Sequence, residues 1–376
     1  MRDLLFFIGT EAELMKMYIV IKKAKERGWR CKIVSSGQND IRNSLFLDLC
    51  DSQIDIDLSK YAPTKKNGRD YLEWLIKTCR YGQKILQNEY KGKKKPIMII
   101  HGDTLSTLLG ARIAKKAGLR FCHVEGGWRS YNWLNPFPEE IDRYFSSKNA
   151  DLIFCASSDA TITAEKSFKG KAINTVVNTN YEVLKYALEY NAKRENPVKT
   201  EEKYFVAAIH RQENLLNRDF MEKTTAAILS LSKRMKCVFI YHIQTKNTLE
   251  RYGLFERLEK NENIILLERL NYFDFIKVVN QSEFLLADGA GNQQEMYYLG
   301  KPYLILRGHI ECKSEGLGDN ARGFDGKFDE IEAFDREYKR YIRKPLEVEE
   351  SPSEIILNSI AEYYRFDETT NANVEK

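Results

Sequence analysis

Short, uninterrupted apolar runs alternate with helical patterns along almost the whole chain, and no other feature narrows its fold so far. In the first half these runs are Leu4–Ile8, Cys31–Val34, Ile97–Ile100, Phe121–Val124, Leu152–Cys155 and Thr175–Val177. In the second half they are Phe205–Ile209, Val238–Tyr241, Ile264–Leu267, Phe284–Ala287 and Tyr303–Leu306. Strands that are apolar at consecutive positions must be covered on both faces, which is the condition of a parallel sheet between helical layers. Two such sets predict an α/β chain of two doubly wound, Rossmann-like domains facing each other across a cleft. The 376 residues suffice for two cores. The expected boundaries are 1–180 for the first domain and 181–350 for the second, with the junction in the charged stretch Asn178–Tyr204. A helical pattern over 353–366 is expected to pack back on the first domain, and 367–376, almost without apolar residues, to be a disordered tail.

Composition removes several classes of function. Apolar residues make up 43% and charged residues 30%, the balance of a soluble globular protein. A net charge of +5 does not argue for a nucleic-acid partner, and the densest basic run, Lys91–Lys95, reads as a solvated turn. Seven cysteines without a CxxC pair read as reduced thiols of a cytoplasmic protein, not as a disulfide frame or a zinc site. The run Leu4–Ile8 is too short for a secretion signal, and no run is long enough to span a membrane. HExxH, histidine pairs at helical spacing and Asp-rich loops are all missing, so no metal cofactor is expected.

In doubly wound sheets ligands bind beyond the carboxyl ends of the strands, so the residues just after each run carry the functional information. The stretch Gly118–Arg143 holds three carboxylates: Glu125 at a strand end, then Glu139 and Glu140 where a helix should begin. Desolvated carboxylates suit proton transfer, although two glutamates behind Pro138 are also an ordinary helix start. In His101-Gly102-Asp103-Thr104, Asp103 either caps the next helix or faces Glu125, in which case the pair would share a proton. The turn Gly289-Ala290-Gly291 before a helix suits a phosphate, with Glu295 placed for a ribose diol, or is a structural turn. His210 could act on a leaving phosphate, while Arg211 and Lys16 are either functional or surface charge. All five histidines lie in or just beyond a strand.

Seven motifs in order resemble the non-hydrolysing UDP-N-acetylglucosamine 2-epimerases of the glycosyltransferase-B fold. They are GTEAELMK (9–16), HGDTLST (101–107), HVEGGWRS (123–130), PFPEEIDR (136–143), IHRQEN (209–214), DGAGNQQEM (288–296) and GKPYLILR (300–307). The resemblance implies C2 epimerisation of a UDP-2-acetamido sugar for surface polysaccharide synthesis, through a glycal and UDP held in a cleft. It implies acid/base roles for Asp103, Glu125 and Glu139, with His210 and Lys16 also catalytic. Gly9, Thr10, Glu13, Arg143, Arg211, Gly289, Ala290, Gly291, Glu295 and Arg307 would bind the nucleotide sugar, without metal or other cofactor, in a homodimer. Glu11 and Ala12 depart from the family's Arg-Pro, Gly289-Ala290 replaces its Ser-Gly, and Ile310–Ser314 lacks its arginine. These departures point to a different nucleotide sugar or to another reaction on this fold: glycosyl transfer, hydrolytic epimerisation or non-catalytic sensing.

Overall fold

A computed structural model describes residues 3–61, 68–133, 138–307, 319–324 and 327–365. His309, Ile310–Ser314 and the proposed tail lie outside that set. The chain divides into two compact units, one of Met1–Val183 with the chain from Val348 onward, the other Leu184–Glu347. The division falls inside the helix Asn180–Asn191, earlier than the most charged part of the expected junction.

The first unit is built on β1 (Asp3–Ile8), β2 (Arg30–Ser35), β3 (Ile54–Asp57), β4 (Ile97–His101), β5 (Arg120–Val124), β6 (Leu152–Cys155) and β7 (Lys171–Asn174). These pair in the order β3-β2-β1-β4-β5-β6-β7, every contact parallel. The second unit contains β8 (Tyr204–Ala208), β9 (Lys236–Tyr241), β10 (Ile264–Glu268), β11 (Leu285–Ala287), β12 (Tyr303–Ile305) and β13 (Ala321–Gly323). Their order, β10-β9-β8-β11-β12-β13, is the same winding, again wholly parallel. Both sheets therefore reverse direction once, between β1 and β4 and between β8 and β11. A crevice opens at such a switch point because the two flanking connections leave on opposite faces.

The central strands β1, β4 and β8 are buried at every position, as their continuous apolar runs require. Sequence reading misplaces the first unit's last strand. Thr175–Val177 is a bend with Val176 at φ 68°, and the strand is the preceding Lys171–Asn174. β3, reading Ile-Asp-Ile-Asp, and β13, reading Ala-Arg-Gly, were not foreseen at all. All three are edge strands, half solvated, so they lack the continuous apolar run that marks a central one. The helix Pro352–Tyr364 belongs to the first unit: Arg27 Nη2 donates to Asn358 at 2.7 Å and Tyr364 Oη to Asp151 at 3.0 Å.

Candidate active site

In the first unit the switch point is lined by the turns after β1 and β4. Gly9 sits where a Cβ would lie 1.8 Å from Ser106 Oγ, so only glycine lets these turns approach. Thr10 caps the helix Glu11–Glu26, its hydroxyl accepting from Glu13 N at 3.2 Å. Glu13 is buried and ties the two turns together: it accepts from Gly9 N at 2.6 Å and from the Thr104 hydroxyl. Burial raises its pKa against the hydrogen bonds that would lower it. Glu11, in the position of the resembled family's arginine, accepts from Ser44 Oγ at 2.7 Å.

Asp103 does not cap the following helix. Thr104 does so, in a reciprocal pair with Thr107, and Asp103 is left to accept from Arg143 Nε at 2.8 Å. Nor does Asp103 share a proton with Glu125. Burial alone would raise the Glu125 pKa. Lys16, with Nζ 2.8 and 2.7 Å from the two carboxylate oxygens, and His101, with Nε2 at 2.9 Å, overcome that and hold it well below the usual carboxylate range. Glu125 is thus an anion at the end of β5. Its backbone is left-handed, φ 60°, which costs a non-glycine residue free energy, and the contacts with Lys16 and His101 fix it there.

The paired glutamates at 139 and 140 separate completely. Glu140 is fully buried and fixes the loop after β5, accepting from Arg129 Nε at 2.6 Å, Ser130 N at 2.8 Å and Tyr131 N at 3.2 Å. The Arg129 guanidinium also lies over the Tyr131, Trp133 and Tyr144 rings. Glu139, at the start of the helix Glu139–Ser147, has a buried Oε2 with no hydrogen-bond partner among the described residues. One turn on, Asp142 is 2% exposed and its Oδ1 is likewise without a partner. Burial first, then the charges of Asp103 and Glu139, push Asp142 up to about 7. Sequence reading missed Asp142. The available signal was its spacing of three from Glu139, which places both on one helical face.

In the second unit the switch point brings β8 and β11 together through Asp288, which is fully buried. It accepts from His210 N at 3.1 Å, Arg211 N at 3.0 Å and Asn214 Nδ2 at 3.0 Å, and lies 3.2 Å from His210 Nδ1. The ring of His210 also stacks on His242, with centroids 5.1 Å apart. Gly289 begins the helix Ala290–Leu299, and a Cβ there would meet Asn292 Oδ1 at 2.6 Å and His210 Cε1 at 2.9 Å. The helix opens at Ala290, inside the Gly289-Ala290-Gly291 stretch expected to precede it. At Gly291 a Cβ would enter open space, so the first amides of the helix are approachable. Glu295 is buried one turn in. Arg211 bonds Glu213 at 3.1 Å, and the charges of Arg211 and Arg307 both lower that glutamate against its burial.

The histidines sort into distinct tasks. His123 is a core residue: Nε2–H donates to Gly102 O at 2.7 Å, so Nδ1 accepts from Ser147 Oγ at 2.8 Å, and burial lowers its pKa to about 4. His101 faces Glu125, and His210 with His242 borders the Gly289 turn. The six described cysteines are free thiols, and no helix of the described residues is long and apolar enough to cross a membrane.

Each unit thus has its own furnished switch point, carboxyl groups in the first and helix amides, arginines and a histidine in the second. A family model described as UDP-N-acetylglucosamine 2-epimerase matches residues 22–317. The chain belongs to that family. It is accordingly an enzyme of the nucleotide-sugar isomerase class. A Methanococcus maripaludis protein, "UDP-N-acetylglucosamine 2-epimerase homolog", is 30% identical over 225 residues, 58% of this chain and 62% of that protein. The UDP-2,3-diacetamido-2,3-dideoxy-D-glucuronate 2-epimerase of Pseudomonas aeruginosa is 29% identical over 224 residues, 58% of this chain and 61% of that protein. The matches thus span about three fifths of the length of these two relatives. In fold, the chain resembles the crystal structure of UDP-GlcNAc 2-epimerase from Neisseria meningitidis bound to UDP-GlcNAc. The TM-score is 0.79 at 24% identity, covering 96% of this chain and 100% of that one. The two parallel, Rossmann-like sheets are those of the glycosyltransferase-B type.

Proposed function

We propose that this 2-epimerase inverts C2 of a UDP-2-acetamido sugar, either UDP-N-acetylglucosamine or a relative modified on the ring. A carboxylate removes the C2 proton as the C1–O bond breaks and its electron pair leaves with UDP, giving a glycal. UDP then adds back to C1 while a proton is delivered to the other face of C2. The observation that carries this reading is the set of carboxyl groups in the first unit, Glu125 held by Lys16 and His101 and Asp103 by Arg143, in a chain of the 2-epimerase family. Epimerisation needs both a base and an acid around one carbon. Glu125, Asp103 and Glu139 make up the acid/base set, with Glu125 fixed in place by Lys16 at 2.7 Å and His101 at 2.9 Å.

In this reading His210, oriented by Asp288, meets the departing phosphate. The amides of Gly289, Ala290 and Gly291 cradle it, with Arg211 and Arg307 adding charge. Glu295 takes the ribose, and Gly9, Thr10, Glu13 and Arg143 shape the sugar end. No metal takes part. We place the enzyme in the cytoplasm, as a homodimer supplying surface polysaccharide synthesis; the free thiols support the compartment. The test is incubation with a panel of UDP-2-acetamido sugars in heavy water, read by proton NMR and mass spectrometry. Formation of the C2 epimer with one deuterium at C2 is expected, and no exchange with any of them would overturn the reading.

A further inference from the structure

Asp103, Glu139 and Asp142 crowd into one corner of the first unit. Among the described residues, the charged groups on the elements packed around the helix of Asp142 can be named. Asp103 comes from the turn after β4, and Glu139 and Arg143 lie on its own helix. From β5 comes His123, neutral and committed to Gly102 and Ser147. The neighbouring helix Leu105–Ala117 keeps Arg112, Lys115 and Lys116 at exposed positions. Arg143 donates to Asp103, and no described residue donates to Asp142 Oδ1. Ionising a buried carboxyl with one oxygen lacking a donor, beside two other carboxyl groups, is unfavourable on both solvation and Coulomb grounds.

We propose that Asp142 is a positioning residue for the Asp103–Glu139 carboxylates, a neutral acid that keeps one negative charge out of the pocket while a dianionic sugar nucleotide is bound. When Asp142 ionises, a further anion stands beside a transition state that is gathering negative charge on the substrate, so turnover falls. Its effect on turnover rests on the 2-epimerase reading; its protonation does not.

The comparison is wild type against Asp142→Asn, which keeps the shape and removes the titration. Wild type should show a protonated-carboxyl infrared band that disappears as pH rises through about 7 and that Asp142→Asn lacks. The folded protein holds this proton beyond the ordinary aspartate pKa of about 3.9, so stability is fully present below that value and declines toward about 7. The thermal midpoint of wild type should follow that decline, and that of Asp142→Asn should be flatter. With whichever sugar exchanges deuterium, kcat/KM of wild type should fall with a one-proton slope above an inflection near 7, and Asp142→Asn should lack that inflection. Superimposable midpoint curves with no such infrared band would overturn the proposal. If the variant does not fold, absence of the band in wild type overturns it by itself. Failure of every sugar would remove the 2-epimerase reading, and the infrared and thermal results would still decide Asp142.

Discussion

Glu125, at the end of β5, and Asp142, one turn into the helix Glu139–Ser147, are both withdrawn from water in the same unit, and they hold their protons in opposite ways. Glu125 has Lys16 on both oxygens and His101 on one, and it is ionised. Asp142 has two carboxylates for neighbours and no donor on Oδ1 among the described residues, and it is raised to about 7. Burial disfavours charge in both places. What differs is the sign of the nearest charge, and that sign sets the outcome. Within one stretch of chain, from Glu125 to Asp142, the neighbouring charges thus give two carboxyl groups opposite shifts.

The sharpest way to break the contrast is Glu125→Gln. If Glu125 works as an anion, replacing it with a neutral isostere should lower C2 deuterium exchange by roughly 10²–10⁴-fold. A neutral Glu125 would lose little on such a substitution. Exchange within about tenfold of wild type would therefore remove it from the acid/base set.

Lys16→Met comes next, since it leaves Glu125 with His101 alone. Removing one partner of a largely buried pair should cost roughly 3 kcal/mol near neutral pH, measured by urea denaturation. The sign follows from linkage. The folded Glu125 pKa is depressed, so its stabilisation is present above the ordinary glutamate value of about 4.3 and is lost as pH falls below it. Wild type should therefore lose stability on acidification below about 4.3, and Lys16→Met should lose less. Parallel acid limbs would mean that Lys16 does not set the charge of Glu125.

How much of this the sequence could say depends on which strand and which charge is asked about. The central strands were legible because burial on both faces leaves no room for polar residues. β3, β7 and β13 were missed or misplaced because one side of each is wet. The segments of the candidate site stood out as motifs, Asp103, Glu125 and the Gly289 turn just after strands and Glu139 at a helix start. Their states did not. Nothing in the letters tells Glu139 from Glu140, one with a buried oxygen left bare and the other satisfied by Arg129 and two backbone amides. Likewise Glu125 sits next to Gly126, and its proton is governed by Lys16, 109 residues earlier. Local spacing reports helix faces and turns, whereas protonation is a property of three-dimensional neighbours.

The smallest effect expected is for Arg143→Leu, and its salt dependence carries the information. Arg143 reaches Asp103, whose side chain is 39% exposed, against 18% for Glu125 in its pair with Lys16. An exposed carboxylate is solvated already, so the pair should be worth no more than about 1 kcal/mol. At about 1 M salt the Debye length falls to about 3 Å and most of that should vanish. The Lys16–Glu125 pair, less open to ions, should keep most of its contribution in the same buffer. Urea denaturation of wild type, Arg143→Leu and Lys16→Met at low and high salt separates the two. A loss in Arg143→Leu that is large and salt-independent would mean that Asp103 is shielded as well as Glu125 is. The carboxyl cluster would then be held by a cation after all, and the line drawn between Glu125 and its neighbours around Asp142 would have to be redrawn.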